Sequence, residues 1–120
     1  MKVREIKFRG RDVITGNWAY GYYYPSKGNS IIRIDDSECI VLKNSIGQFT
    51  GLKDKNRKEI YEGDIMHGNT SKLGAITFEN GSFMWLGEPL AWDMDEPELC
   101  LPERWGQIIG NIYEHSDLLK

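Results

Sequence analysis

Asp54, Asn56 and Glu59 sit close together in the stretch GLKDKNRKEIYEGDI, residues 51–65, and oxygen ligands at that spacing raise calcium binding first. An EF-hand loop needs oxygens at positions 1, 3 and 5, glycine at 6 and glutamate at 12. Counted from Asp54, position 5 is Lys58, position 6 is Glu59 and position 12 is Ile65, and four cations from Lys53 to Lys58 would repel the ion. Zinc fares no better, because Cys39, His67, Cys100 and His115 are scattered with no close ligand pair. Phosphate loops of the GxGxxG and GxxxxGK[ST] kinds and the nucleophile motif GxSxG are absent. Asp93, Asp95, Glu96, Glu98 and Glu103 could supply an acid/base pair, but carboxylates crowded into a proline-containing loop read as a solvated face. The expectation is a protein that is not an enzyme, with no catalytic residue, no metal ligand and no cofactor. The stretch 51–65 is then read as a turn, Asp54-Lys55-Asn56-Arg57, followed by a Gly63-Asp64 bend that opens a strand.

A second constellation mixes cations with aromatics. Lys2, Arg4, Lys7, Arg9 and Arg11 precede Trp18, Tyr20, Tyr22 and Tyr24, all four on one face of a strand-like run. Basic and stacking side chains together are the equipment of single-strand nucleic-acid binding, and they suit a protein interface equally. The candidate contact residues are Lys7, Arg9, Arg11, Trp18, Tyr20 and Tyr22. Charge bears on the choice. Residues 1–60 carry 12 Lys/Arg and 7 Asp/Glu, whereas residues 61–120 carry 3 and 11. So dipolar a chain can steer association with copies of itself or with another charged partner. An acidic second half and a sequence pI near 5.4 weigh against nucleic acid. The preferred expectation is therefore a self-associating protein-interaction module, with nucleic-acid binding as the alternative.

The elements that would position these residues are short strands. Thirteen glycines fall mostly between β-like runs, and long helical periodicity is absent. In GAITFENGSFMWLG, Asn80-Gly81 is a type I′ turn pair. It sets Glu79 opposite Ser82, Phe78 opposite Phe83, Thr77 opposite Met84 and Ile76 opposite Trp85. Ile76, Phe78, Phe83 and Trp85 then share a core face, and Thr77, Glu79, Ser82 and Met84 a solvated one. KVREIKFR and NWAYGYYY read as an N-terminal hairpin whose loop length leaves two registers open. One places the aromatics beside Ile6 and Phe8; the other places them beside Lys7, Arg9 and Arg11, as a cation–π surface. SIIRI and ECIVLK, separated by Asp35-Asp36, form a further pair. GQFTG is another strand, 87–104 an irregular acidic excursion, WGQIIGNIY a closing strand, and Ser116 a cap for a last turn. Five strands, at about 63–67, 73–79, 82–87, 106–110 and 111–114, suit an SH3-like small barrel. The fold class expected is mainly β (β-rich α+β). It combines a β-rich N-terminal subdomain, 1–56, with an SH3-like barrel domain, 57–120. The first residues lack the apolar core of an export signal and no run approaches the roughly 18 apolar residues of a membrane span. A soluble cytoplasmic protein with reduced Cys39 and Cys100 is expected.

Several motifs then stand together: REIKFR at 4–9, Asp12 with Trp18, Tyr20-Gly21-Tyr22, GQFTGLKDKN at 47–56, KEIYEGDI at 58–65, FENGSF at 78–83 and IIGNIYEHSDLL at 108–119. With these the chain resembles the YopX-like family of phages and prophages. The resemblance implies a β-rich N-terminal portion, a C-terminal SH3-like barrel and a bacterial or phage cytoplasmic setting, and it supplies no activity. Two positions depart from the family pattern. Arg11 stands where tryptophan is common, which alters the packing of the N-terminal lobe. Arg57 stands where glycine is common after the asparagine, so the turn there must be made another way.

Overall fold

A computed structural model describes residues 5–68, 72–90, 102 and 106–120. It is β-rich, with two antiparallel sheets. The strands are β1 (Phe8–Arg11), β2 (Trp18–Ser26), β3 (Asn29–Ile34), β4 (Ser37–Val41), β5 (Gly47–Lys53), β6 (Glu59–Tyr61), β7 (Asp64–His67), β8 (Leu73–Glu79), β9 (Ser82–Trp85), β10 (Glu88–Pro89) and β11 (Gln107–Asn111). Two 3-10 turns, Lys43–Ser45 and Ser116–Leu119, accompany them. The chain divides into two compact units, Met1–Phe49 and Thr50–Lys120.

In the first unit the strands run in the order β4-β3-β2-β1-β5. Tight turns join β2 to β3 at Lys27-Gly28 and β3 to β4 at Asp35-Asp36, each leaving two residues between paired strand ends. Lys27, Gly28 and Asp35 have positive φ (51°, 80° and 53°), the conformation that matches hairpin turns to strand twist. The sheet then curls. The end of β4 returns to the end of β1 through an Asp12–Val41 bridge. Leu42 N–H donates to the Arg11 carbonyl (2.9 Å) and Val13 N–H to the Ile40 carbonyl (3.0 Å). Ile32 and Val41 are buried on the enclosed face. Gly10 permits this closeness, since a Cβ there would stand 2.8 Å from Val41 Cγ2. β5 begins beside β1 and runs on past Phe49 into the second unit, where β6 is its neighbour.

The second unit contains the order β10-β9-β8-β7-β11. Its hairpin has the expected register, with Ile76, Thr77, Phe78 and Glu79 opposite Trp85, Met84, Phe83 and Ser82. Asn80 and Gly81 take φ of 52° and 81°, as the turn type requires. Ile60, Met66, Ile76, Phe83 and Leu90 make the core, with Leu52, Trp85 and Ile108 packed against it. Trp85 Nε1 donates to the carbonyls of Gly74 (3.1 Å) and Met66 (3.3 Å), which satisfies the indole where it is partly buried. Phe78 departs from expectation. It is 47% exposed, because it is next to last before the turn and lies at the edge of the core, where its ring meets that of Phe83 (4.9 Å).

Four further expectations need correction. The strand expected at 111–114 does not form: Asn111 ends β11 and 112–114 are a turn, closed by Asn111, whose side chain accepts from Glu114 N–H (2.9 Å) and whose carbonyl accepts from His115 N–H (2.8 Å). Of the expected irregular acidic excursion, 87–104, residues 91–101, 103 and 104 lie outside the described residues, and at its start β10 pairs with β9 and Leu90 joins the core. A final turn does form at Ser116–Leu119, but no side-chain hydrogen bond caps it. Among the described residues β10 and β11 do not pair with each other, so the expected barrel is not closed.

The GLKDKNRKEIYEGDI stretch is structural. Asp54 is fully buried. Its Oδ1 accepts from the N–H groups of Asn56 (2.8 Å) and Lys58 (2.9 Å), and its Oδ2 from Ile108 N–H (2.9 Å). Lys55 N–H donates to the Gly106 carbonyl (2.8 Å). The turn thus covers the outer edge of β11, an edge that would otherwise present unpaired groups. Arg57 makes the turn with φ of +67° and without glycine. Asp64, also buried, accepts from Tyr61 N–H (2.7 Å). Gly63 forms the corner between them at φ +94°, a region that side chains other than glycine rarely occupy.

Candidate interaction face

The N-terminal hairpin decides between its two registers through Asp12. Asp12 Oδ1 accepts from Ile14 N–H (2.8 Å) and Thr15 N–H (3.2 Å), while Asp12 N–H donates to the Asn17 carbonyl (2.9 Å). This side-chain turn fixes a loop of residues 13–16. Arg11 then pairs with Trp18, and Arg9 with Tyr20. The aromatics therefore share a face with the cations. Phe8 lies opposite Gly21 on the other face and meets Tyr23 at 5.7 Å.

Five of the six candidate residues fall on the paired strands, and Lys7 lies immediately before β1. The Arg9 guanidinium stands 4.6 Å and that of Arg11 5.5 Å from the Trp18 ring centre. Such stacking holds cations against the sheet, and Arg9 is only 8% exposed. Arg11 is further fixed by its backbone N–H, which donates to Ser45 Oγ (2.8 Å). Lys7 pairs with Glu5 (3.0 Å) and lies 5.1 Å from the Phe49 ring centre. Tyr20 and Tyr22, by contrast, are 40% and 69% exposed. The hairpin brings the set together but presents mainly the tyrosines.

Sequence reasoning missed the residues that β3 and β4 add. Tyr22 pairs with Arg33, and Arg33 with Glu38, on the same face. Tyr24 donates its hydroxyl to Glu38, a bond that raises the Tyr24 pKa above the ordinary tyrosine value. Arg33 Nε donates to the Asp35 carbonyl (3.1 Å). The signal was present in the period of two along SIIRI and ECIVLK, but only the Lys27-Gly28 turn converts it into a register with β2. Behind the sheet, the Cys39 thiol has its pKa raised by burial and by the neighbouring Asp12 carboxylate.

Among the described residues, no group of three or more His, Cys, Asp and Glu is placed to hold a metal ion. No helix among them is long and apolar enough to cross a membrane. Asp93, Asp95, Glu96, Glu98, Cys100 and Glu103 lie outside the described residues, as do Lys2 and Arg4.

No curated protein matches the chain. The crystal structure of protein EF1440 from Enterococcus faecalis is similar, at 25% sequence identity and a TM-score of 0.60 over 98% of this chain and 100% of that one. The model of the family described as YopX protein matches residues 7–120, nearly end to end, and the chain therefore belongs to the YopX protein family.

Proposed function

We propose that the protein is a non-enzymatic interaction module that self-associates through the aromatic face of its first unit, in a phage or prophage setting in the bacterial cytoplasm. One observation carries this reading. The hairpin stacks Arg9 and Arg11 on Trp18 and presents Tyr20 and Tyr22, at 40% and 69% exposure. Exposed tyrosines with an apolar body and a polar tip are enriched at protein interfaces. Charge supports a second copy as the partner: the first unit carries 8 Lys/Arg and 5 Asp/Glu, the second 7 and 13. The second unit supports an SH3-like reading. Its last strand, β11, lies beside its first full sheet strand, β7, and β8, β9 and β10 follow in turn, which is the strand order of SH3 folds.

Nucleic-acid binding is the alternative, favoured by the shared face of Lys7, Arg9, Arg11 and the aromatics. Phosphate binding needs accessible cations, and the burial of Arg9 favours the protein reading. Analytical ultracentrifugation of wild type and Tyr22→Arg separates the two. Self-association at tens of micromolar that Tyr22→Arg weakens supports the proposal. A monomer of 13.8 kDa that binds oligonucleotides with steep salt dependence in fluorescence anisotropy overturns it.

A further inference from the structure

The first unit has an open depression of about 280 Å³ at the start of β1 and the end of β3. Ile6, Ile34, Tyr20 and Tyr22 line it, with Lys7 and Arg33 among its charged groups. All four apolar side chains are exposed, from 40% to 69%. Tyrosine and arginine around a small apolar hollow are the composition of an interface hot spot. Glu5 and Asp35 also line the hollow, but Glu5 is paired with Lys7.

The second unit ends on a feature of matching chemistry. The Ser116–Leu119 turn buries none of its residues, and Ile112, Tyr113, Leu118 and Leu119 are 38–47% exposed. Glu114 and Asp117 stand among them. An apolar turn that adds nothing to its own core is a candidate for burial elsewhere. Arg33 is the exposed cation at the hollow that the turn's acids would meet, and the net charges of the two units are opposite in sign.

We infer that the C-terminal turn of one copy, with Leu118 and Leu119 as anchors, seats in the Ile6/Ile34/Tyr20/Tyr22 depression of a second copy. This rests on the self-association proposed above and adds the two surfaces that meet. Two such contacts, exchanged reciprocally, close a dimer.

Complementation between full-length variants tests it. One variant carries Leu118→Asp and Leu119→Asp with an intact depression; the other carries Tyr22→Arg with an intact tail. Deletion of residues 116–120 gives a second tail variant, and thermal melts establish that each is folded. Each alone is expected to dimerise roughly 1,000-fold more weakly than wild type, because the reciprocal dimer loses an interface anchor twice, about 30-fold each time. An equimolar mixture is expected to recover a dimer in ultracentrifugation, because one intact contact forms. Tail variants that dimerise as wild type does, or a mixture that stays monomeric, overturn the inference while leaving self-association in place. A monomeric wild type overturns both.

Discussion

Asp54 offers the most demanding test of the fold. Its carboxylate is inaccessible to solvent and takes three backbone N–H groups, two from its own turn and one from β11. Asp54→Asn keeps an acceptor for Asn56 and Lys58 but turns an NH2 group toward Ile108 N–H, so donor faces donor. A buried donor left unsatisfied costs about 1–3 kcal/mol. The two retained bonds lose charge assistance, worth about 1 kcal/mol each. The sum is about 3–5 kcal/mol, and Asp54→Ala, which orphans all three donors, should cost more. Against a typical domain stability of about 5–15 kcal/mol, that is a large fraction. Urea denaturation followed by tryptophan fluorescence reads the loss as a shift in midpoint. Asp36→Asn, in an exposed hairpin turn, is the control and should change stability by less than about 0.5 kcal/mol. If Asp54→Asn proves as mild as Asp36→Asn, the turn does not hold β11 and the reasoning fails.

Three other outcomes are expected. Arg57→Gly should stabilise by about 0.5–1 kcal/mol, because the left-handed conformation at φ +67° strains a side chain and the gain exceeds glycine's entropic cost; a loss in denaturation would show that the arginine side chain matters more. Phe83→Ala should cost about 3–5 kcal/mol, and Phe78→Ala, at the exposed end of the hairpin, less than about 1.5 kcal/mol; equal costs would contradict the exposure pattern. The raised Cys39 pKa makes its contribution complete below the ordinary thiol value of 9.0 and lost as pH rises through the higher folded value. Wild-type stability should therefore fall more steeply than Cys39→Ala stability as pH rises from 9.0 toward the folded value, and parallel profiles would refute the assignment.

What the sequence made legible was local. The β8–β9 register follows from Asn80-Gly81 because turn chemistry and apolar period agree there. The motif around Asp54 and Gly63 is recognisable as turns because its glycine, asparagine and acids have few other uses at that spacing. What stayed hidden was tertiary. Both faces of the N-terminal hairpin were plausible, and the choice hung on Asp12 receiving two N–H groups, a side-chain bond that strand alternation cannot express. Phe78 looked like core by alternation, but alternation says which face a residue takes and not how far along the strand the core extends. Leu86-Gly87, the turn into β10, lacks the asparagine or aspartate that announces such turns, although both residues have positive φ. The part of Asp54 played on β11 joins residues 54 positions apart, beyond any local pattern.

The central claim is that the tyrosines of β2 face a second copy of the chain. Hydroxyl-radical footprinting at low and high protein concentration tests it at the side chains themselves. Tyr22, 69% exposed in the single chain, should be readily modified when dilute and protected as concentration rises, with Tyr20 following it. Modification of Tyr22 that stays equally fast across the range in which the protein self-associates would contradict the account.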